Sequence, residues 1–396
     1  MSSMKLILLG SLLMTVVISC DPYQHEPVED DGNAPEEIKN VVVENLAGSA
    51  KITYSLPLDL DLLYVEAIYK NKVGSSMNFK SSHYTNFLVV DGFADTTSHD
   101  VEIYAVDKSG NRSTPVVVQV KPKTPPVIVT YRSLTIQPDF GGVSVSFKNK
   151  DKVVLDIVVT TSDANGKSVV AKTFHTTRDS ASFSVRGFTS EPRMFKVFVR
   201  DRWGNTSETL ATELTPLFEM QLDKNKFSEF VLPGDAGCTS WGGAMLYAWD
   251  GKVPPDGPGF GLHTGNAGTG VPKVITFDMG VEAKLSRFSL QTVPDYRHWF
   301  NDVSMKRYEL WGSINPATDG SFDGWTKLLT VTNIKPSGLP VGAYTDDDRT
   351  AGLIGDEANF STDSPRVRYI RIRCLENWSG NTNMVISEMT FWGSEN

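Results

Sequence analysis

The stretch that decides the fold begins Phe277-Asp278-Met279-Gly280 and closes Ile386-Ser387-Glu388-Met389-Thr390-Phe391-Trp392-Gly393. Between these two runs lie four more of the same kind: Leu285–Leu290, Tyr308–Ser313, Gly324–Leu328 and Arg368–Arg373. Most of the runs are short and half apolar, carry β-branched or aromatic residues, and are bounded by Gly, Pro, Asn and Asp. Such runs are typical of strands in an antiparallel sandwich. This part of the chain is therefore predicted to be all-β.

Length and composition limit the number of domains and the classes of partner. The chain has 396 residues, of which 40% are hydrophobic and 21% charged, an ordinary composition for soluble globular domains. Its length predicts two to four domains. The net charge of -9 provides no basic field to attract phosphate backbones, which argues against nucleic acid as a partner. An acidic surface also disfavours polyanionic ligands, whereas neutral sugars are compatible with it.

The first residues indicate an exported lipoprotein. Lys5 precedes an apolar run, Leu6–Ile18, that is too short to span a bilayer stably. The run ends at Val17-Ile18-Ser19-Cys20, which resembles a bacterial lipobox with Cys20 as the lipidated residue. Residues 1–20 are thus predicted to be a lipoprotein signal peptide, and residues 21–33 a flexible acidic tether. A secretory signal with an incidental cysteine is the alternative.

An internal repeat predicts two similar modules. Val101–Ser113 matches Phe195–Ser207: each copy alternates apolar residues as a half-buried strand does, and then turns through Asp-x-x-Gly-Asn. The copies lie about one fibronectin III or immunoglobulin-like domain apart. We predict such domains at 34–121 and 127–214, joined by a stiff Pro-rich linker at Lys121–Pro126. Asp107 and Asn111 are expected to serve the turn and not a cation.

Tryptophan and cysteine distribute unevenly along the chain. Seven of the eight tryptophans lie in the last domain, and Trp241, Trp249, Trp299 and Trp378 fall in loop-like surroundings. Exposed indoles suit sugars because the C–H face of a pyranose stacks on a π-surface. After Cys20, only Cys238 and Cys374 remain. Free thiols are the preferred prediction for them, with a disulfide as the alternative, and Cys374 is expected on the buried face of its strand.

In their order, the strand runs resemble the discoidin (F5/8 type C) domain, the fold of family 32 carbohydrate-binding modules. The resemblance covers residues 222–396 and implies a galactose-binding-like jelly-roll sandwich after the two Ig/fibronectin III-like sandwiches. It also implies ligand-binding loops at one end of that sandwich. Carried over residue by residue, it predicts a carbohydrate site that the last domain builds from loop residues: Arg297, His298, Trp299, Asn377 and Trp378.

Discoidin domains often hold a structural Ca²⁺ near their start. The resemblance implies Asp250 and Glu388 as its ligands, since hard oxygen donors suit that ion. Lys252 and a Pro-containing insertion after it depart from the family's pattern. An ion-free site is therefore the alternative.

The whole arrangement resembles lipoproteins of polysaccharide-utilisation systems, which accompany outer-membrane importers. It implies a non-catalytic surface protein that is lipid-anchored in the outer membrane and binds a polysaccharide or oligosaccharide. A glycosidase needs paired carboxylates, and the one dense acidic group is Asp346-Asp347-Asp348 with Asp356-Glu357. We interpret this group as a solvated loop. A protein-binding adhesin that uses the Ig-like modules, or a cryptic hydrolase, are the competing hypotheses.

Overall fold

The computed structural model describes residues 32–72, 74–253, 261–265 and 271–396. The predicted signal peptide (1–20), the lipidation site Cys20 and the tether up to residue 31 lie outside the described residues. In the described part, no helix combines the length and the apolar character that crossing a bilayer requires. The chain divides into two compact units, residues up to 129 with 200–207, and residues 130–199 with 208–396.

The described structure is all-β, as predicted. Besides three short 3-10 helices (Lys224–Lys226, Ser240–Gly242 and Met245–Ala248), it contains two α-helices, α1 (Pro126–Tyr131) and α2 (Asp346–Ile354). The strands are β1 (Lys39–Leu46), β2 (Ser49–Ser55), β3 (Leu62–Lys70), β4 (Ser76–Ser82), β5 (Phe87–Asp91), β6 (His99–Asp107), β7 (Val116–Val120), β8 (Thr135–Asp139), β9 (Gly142–Lys148), β10 (Leu155–Ser162), β11 (Ser168–Thr176), β12 (Ser180–Arg186), β13 (Arg193–Asp201), β14 (Leu210–Leu214), β15 (Met220–Gln221), β16 (Ser228–Glu229), β17 (Leu262–His263), β18 (Lys273–Gln291), β19 (Met305–Ser313), β20 (Thr326–Thr332), β21 (Asp356–Asn359), β22 (Val367–Asn377), β23 (Val385–Ile386) and β24 (Glu388–Ser394).

The two repeated modules share one strand order. In the first, a sheet β1-β2-β5 accompanies a sheet β4-β3-β6-β7; in the second, β12-β9-β8 accompanies β11-β10-β13-β14. Each module thus pairs three strands with four, the arrangement of a fibronectin III-like sandwich. The apolar residues of the alternating pattern lie in the cores. In the first module, Val101, Ile103 and Ala105 are fully buried.

The repeated Asp-x-x-Gly-Asn turns are held by their own side chains. Asp107 Oδ1 accepts a hydrogen bond from the amide of Asn111 at 2.8 Å, and Asn111 Nδ2 donates to Asp107 Oδ2 at 3.0 Å. Asp201 and Asn205 make the same pair of contacts in the second copy, both at 2.9 Å. Turn chemistry therefore accounts for these acidic residues, as predicted.

One long strand organises the carboxyl-terminal domain. The first part of β18, from Lys273 to Ala283, pairs with β22, and its second part, from Lys284, pairs with β24. The register with β22 shifts between Asp278 and Ala283, and the strand passes to β24 immediately after Ala283. Phenylalanines from β18 and β24 (Phe277, Phe288 and Phe391) meet in the core between these pairings.

Both cysteines lie in the core of the carboxyl-terminal domain. Cys238 and Cys374 are both buried and unpaired with each other, which confirms the prediction of free thiols. Cys374 lies on the buried face of β22, as the alternation predicted. Burial raises the pKa of each thiol to about 12, so both stay protonated and unreactive at neutral pH.

The acidic cluster is not the solvated loop that the sequence suggested. Asp346–Asp348 forms the first turn of α2, where Thr345 caps the helix and Asp348 completes a capping box with it. Asp348 is buried and accepts hydrogen bonds from the Ser337 hydroxyl at 2.6 Å and the Ser337 amide at 2.9 Å. Negative side chains at a helix N-terminus stabilise it, so at least one of these carboxylates has a structural role.

Candidate functional site

Two loops that are far apart in sequence meet at one end of the carboxyl-terminal domain. The amide of Trp378 donates to the carbonyl of Ser304 at 3.1 Å, and the amide of Ser379 donates to the carbonyl of Asp302 at 3.0 Å. These bonds extend the pairing of β19 with β22, in which Met305 lies opposite Asn377. The structure thus places the two predicted loop segments side by side.

A cleft of about 330 Å³ opens at this end of the domain. It combines residues of both predicted loops, Arg297 and His298 from one and Asn381 from the other, with two stretches, at Trp241 and His263, that the sequence did not single out as binding residues. Its lining consists of Trp241, His263, Arg297, His298, Asp302, Val303 and Asn381.

Trp241 is the most exposed aromatic group of the cleft. It lies in the 3-10 helix Ser240–Gly242 with 76% of its surface exposed, and its backbone has a φ of 56°. Bulky side chains rarely adopt positive φ, and such a conformation costs on the order of 1–3 kcal/mol. An exposed indole gains little from burial that would offset this strain. The conformation therefore indicates that the indole serves a purpose other than packing.

His263 supplies a buried polar group beside that indole. It lies in β17, opposite Val385 of β23, and is 7% exposed. Its Nδ1 has no hydrogen-bond partner among the described residues. Burial lowers the pKa of His263, although its contact with the Thr264 backbone opposes this effect, so the ring is neutral near pH 7. An unsatisfied buried nitrogen costs about 1–3 kcal/mol unless something else pairs with it.

Charged groups also line the cleft. Arg297 donates to Asp295 through Nη2 at 2.7 Å and Nε at 3.2 Å, and His298 Nδ1 lies 3.0 Å from the second oxygen of Asp295. Burial raises the pKa of Asp295, but the hydrogen bonds from Arg297 and His298 prevail and lower it. Asp302, at a φ of 49°, places one carboxylate oxygen 3.9 Å from His298 Nε2. The cleft thus offers both donors and acceptors to a ligand.

Trp299 is not in the cleft. Its ring packs edge to face on Tyr344, with centroids 5.3 Å apart, and against α2, where a Cβ added at Gly352 would lie 2.6 Å from its Cδ1. The sequence does not reveal this packing, because the segment that forms α2 resembles a loop. These contacts give Trp299 a packing role and argue against its predicted role as a sugar contact.

Asn377 is a structural residue as well. It is 0% exposed, and its Oδ1 accepts the amides of Ser379 and Asn381, each at 3.0 Å. Its Nδ2 donates to Asn381 Oδ1 at 2.6 Å and to the Asn383 carbonyl at 2.9 Å. With its hydrogen-bonding groups used internally, Asn377 shapes the loop that presents Asn381, and it does not itself face a ligand.

Trp378 is half-buried next to the cleft. Its ring meets Phe300 edge to face at 5.5 Å, and the Lys306 ammonium lies 5.4 Å from its centroid. Phe300 has a φ of 50° and is thus also held in an uncommon backbone conformation. Trp378 lines a small cavity that shares His298 with the cleft. Of the five predicted binding residues, Arg297 and His298 line the cleft, and Trp378 lies beside it.

The surroundings of Glu388 do not fit a calcium site. One carboxylate oxygen forms an ion pair with the Lys224 ammonium, and the other accepts the Gly251 amide at 2.8 Å. Asp250 Oδ1 accepts the Lys252 amide at 2.9 Å. Among the described residues, no group of three or more His, Cys, Asp or Glu side chains is arranged to hold a metal ion. A positive lysine beside Glu388 would repel Ca²⁺ and already balances the carboxylate's charge.

Comparisons with known proteins cover most of the chain. Three family models, each described as a domain of unknown function, match residues 35–122 (DUF4959), 123–225 (DUF5126) and 249–393 (DUF5000). None of the curated proteins compared matches the chain. Among solved structures, the SusE-like protein BT2857 is 34% identical over 68% of this chain and 99% of its own, with a TM-score of 0.45. The chain belongs to the SusE-like proteins.

Two other solved structures resemble parts of this SusE-like protein. A segment of two fibronectin type III domains from chicken tenascin is 14% identical, covers 46% of this chain and 99% of its own, and has a TM-score of 0.23. The C-terminal domain of a chitobiase from Bacteroides fragilis is 15% identical, covers 44% of this chain and 98% of its own, and has a TM-score of 0.31.

Proposed function

We propose that this SusE-like protein is a non-catalytic, lipid-anchored surface protein that binds a glycan in the cleft of its carboxyl-terminal domain. The observation that carries the proposal is Trp241, an indole held exposed at positive φ beside hydrogen-bonding side chains. Sugar binding sites combine a flat aromatic face with polar groups that fix the hydroxyls.

The proposal also includes the cellular location and the partners of the protein. Lipidation at Cys20 would anchor it in the outer membrane, and the two fibronectin III-like modules between residues 39 and 214 would act as spacers. Importer proteins of a polysaccharide-utilisation system are its proposed neighbours. We assign the carboxyl-terminal domain to the discoidin type, a choice supported by an antiparallel arrangement in which β18 pairs with β22 and β24 and, over shorter stretches, with β16 and β21.

Affinity electrophoresis of the mature chain in gels that contain single polysaccharides tests the proposal. We expect retardation by at least one polysaccharide and its loss in Trp241→Ala, because a central stacking ring contributes about 2 kcal/mol or more. The matched control is Tyr84→Ala, which removes another exposed aromatic side chain, one that lies in the first module and not in the carboxyl-terminal domain. Absence of binding to every polysaccharide, or binding that Trp241→Ala leaves intact, contradicts the proposed site. Release of sugar by the pure protein contradicts the non-catalytic assignment.

A protein-binding role for the first module is the second candidate. Leu58 and Leu60, between β2 and β3, are fully exposed, and exposed apolar side chains at a loop tip favour a protein contact. Crosslinking in cells with Leu58→Ser/Leu60→Ser as the comparison tests this candidate. A partner captured by the parent protein and lost in the double variant would support it.

A further inference from the structure

The charges that line the cleft limit the class of glycan that it can bind, and Arg297 is the positive group among them. Its guanidinium makes two hydrogen bonds to Asp295, through Nε and Nη2. Both donate to the same oxygen, Oδ2, and this ion pair offsets the positive charge and orients the planar group. Arg297 is therefore already engaged and is a poor receptor for an acidic sugar.

Asp302 supplies the negative charge of the cleft. Its side chain is 55% exposed, and its contact with His298 Nε2, at 3.9 Å, is longer than a hydrogen bond. Its carbonyl accepts the Ser379 amide at 3.0 Å, which fixes its backbone in the wall of the cleft. A carboxylate held in this way accepts two hydrogen bonds from neighbouring sugar hydroxyls and repels a second carboxylate or a sulfate.

Two further groups complement hydroxyls without adding charge. Asn381 Oδ1 is used by Asn377 Nδ2 and by the Asn383 amide, while its NH₂ group has no protein partner among the described residues. His263 adds a neutral imidazole with an unpaired Nδ1. Neutral donors and acceptors around one carboxylate match the hydroxyl groups of an uncharged sugar.

We infer that the cleft selects neutral glycans and rejects uronic-acid-containing or sulfated ones, with Asp302 as the residue that determines this selection. The inference rests on the proposed function. Specificity of this kind depends on repulsion of the wrong ligand as much as on attraction of the right one.

The test compares ligands that differ in charge and not in backbone. Hydroxyethyl and carboxymethyl derivatives of each neutral polysaccharide that the mature chain binds, at equal degrees of substitution, form the matched pairs. Polyuronates and sulfated polysaccharides are screened in parallel. Asp302→Asn is the variant, because Asn removes the charge and is among the non-glycine residues that tolerate the positive φ at this position. Asp363→Asn removes an equal charge near the start of β22, whose other end reaches the cleft, and is the control.

We expect the parent protein to bind the hydroxyethyl derivative at least about tenfold more tightly than the carboxymethyl derivative at low salt. Asp302→Asn should reduce that ratio to about threefold or less, and Asp363→Asn should leave it unchanged. Equal binding of both derivatives, retention of polyuronates alone, or an unchanged ratio in Asp302→Asn overturns this inference while leaving glycan binding in place. Failure to bind any polysaccharide, charged or neutral, overturns the proposed function itself.

Discussion

The rings of Trp241 and His263 meet at a steep angle of 64°, with their centroids 6.4 Å apart. One ring is 76% exposed on a strained backbone, and the other is 7% exposed with an unpaired nitrogen. Neither feature stabilises the free protein, and both occur at the same cleft. This coincidence is expected where a ligand provides the missing contacts.

Trp241→Asn should separate stability from binding. Asparagine tolerates positive φ, so the change relieves strain, and we expect the free energy of unfolding in urea to stay equal or rise by about 1 kcal/mol. Glycan binding in affinity gels should disappear because the stacking surface is gone. A loss of stability greater than about 1 kcal/mol would instead show that the indole packs against the protein.

Trp299→Ala should have the opposite effect. The ring packs on Tyr344 and α2, so its removal should lower the free energy of unfolding by about 2 kcal/mol, less than for a fully buried Trp. Affinity for a bound glycan should stay within about twofold, since the ring does not line the cleft. Tyr296→Ala, an exposed neighbour, should change neither quantity. A selective loss of binding in Trp299→Ala would return this residue to the site.

Asn377→Ala should damage both properties together. The change removes four hydrogen bonds inside the loop, and leaving buried partners unsatisfied predicts a loss of about 2–3 kcal/mol. Binding should weaken as Asn381 loses its position. Ser379→Ala, at an exposed position in the same loop, is the control for thermal unfolding and affinity. Weakened binding at unchanged stability would contradict a structural role.

Asp348 should contribute stability that depends on acidity. Burial opposes ionisation, but hydrogen bonds from Ser337 and the Thr345 amide prevail and lower the pKa of Asp348 to about 2. The unfolded carboxyl has a pKa of about 3.9, so its contribution is complete above about pH 4 and is lost as pH falls toward 2. Urea unfolding of Asp348→Asn should show a deficit at neutral pH that shrinks in that window. A deficit that stays constant with pH, or an equal effect in Asp347→Asn, would refute this.

The calcium prediction has a direct test in Lys224. Burial raises the pKa of Glu388 despite its lysine partner, and removing the ammonium in Lys224→Met should cost about 3 kcal/mol by leaving a buried charge unpaired. Replacing both residues, in Lys224→Met/Glu388→Gln, should recover part of the loss. The Tm of the parent protein should be the same with Ca²⁺ or with EDTA. A rise in Tm with Ca²⁺ would restore Asp250 and Glu388 as ligands.

Sequence reasoning located the strands with a strong alternation of apolar residues. In the two modules it did not name β4, β7, β8, β11 or β14, all of which lie at the edges of their sheets. An edge strand such as Ser76–Ser82 can be polar and resemble a loop. The first turn of α2 was also misread, although Thr345 and Asp348 carry the spacing of a capping box. Both errors concern short elements whose identity depends on neighbouring elements.

The sequence indicates that loop tryptophans are candidates for the site, but it does not indicate which of them line the cleft. The sequence placed Trp241, Trp299 and Trp378 in loops, but nothing in a loop sequence tells which indole a helix will cover. Trp241 carried a usable signal in the Ser-Trp-Gly-Gly context, where the glycines allow sharp turns. His263 and Asp302 reach the cleft through pairings of β17 with β23 and of the loop after β22, contacts between distant segments that a single sequence does not reveal.

The pairing of β18 with both β22 and β24 also limits how the carboxyl-terminal domain can unfold. One uninterrupted backbone runs first beside β22 and then beside β24. Neither half of β18 can therefore leave its partner strand without disturbing the hydrogen bonds of the other half. Amide hydrogens on both halves should therefore exchange with deuterium through one shared opening event. A glycan seated at the tip would slow exchange along the full length of that strand, far from where the sugar lies.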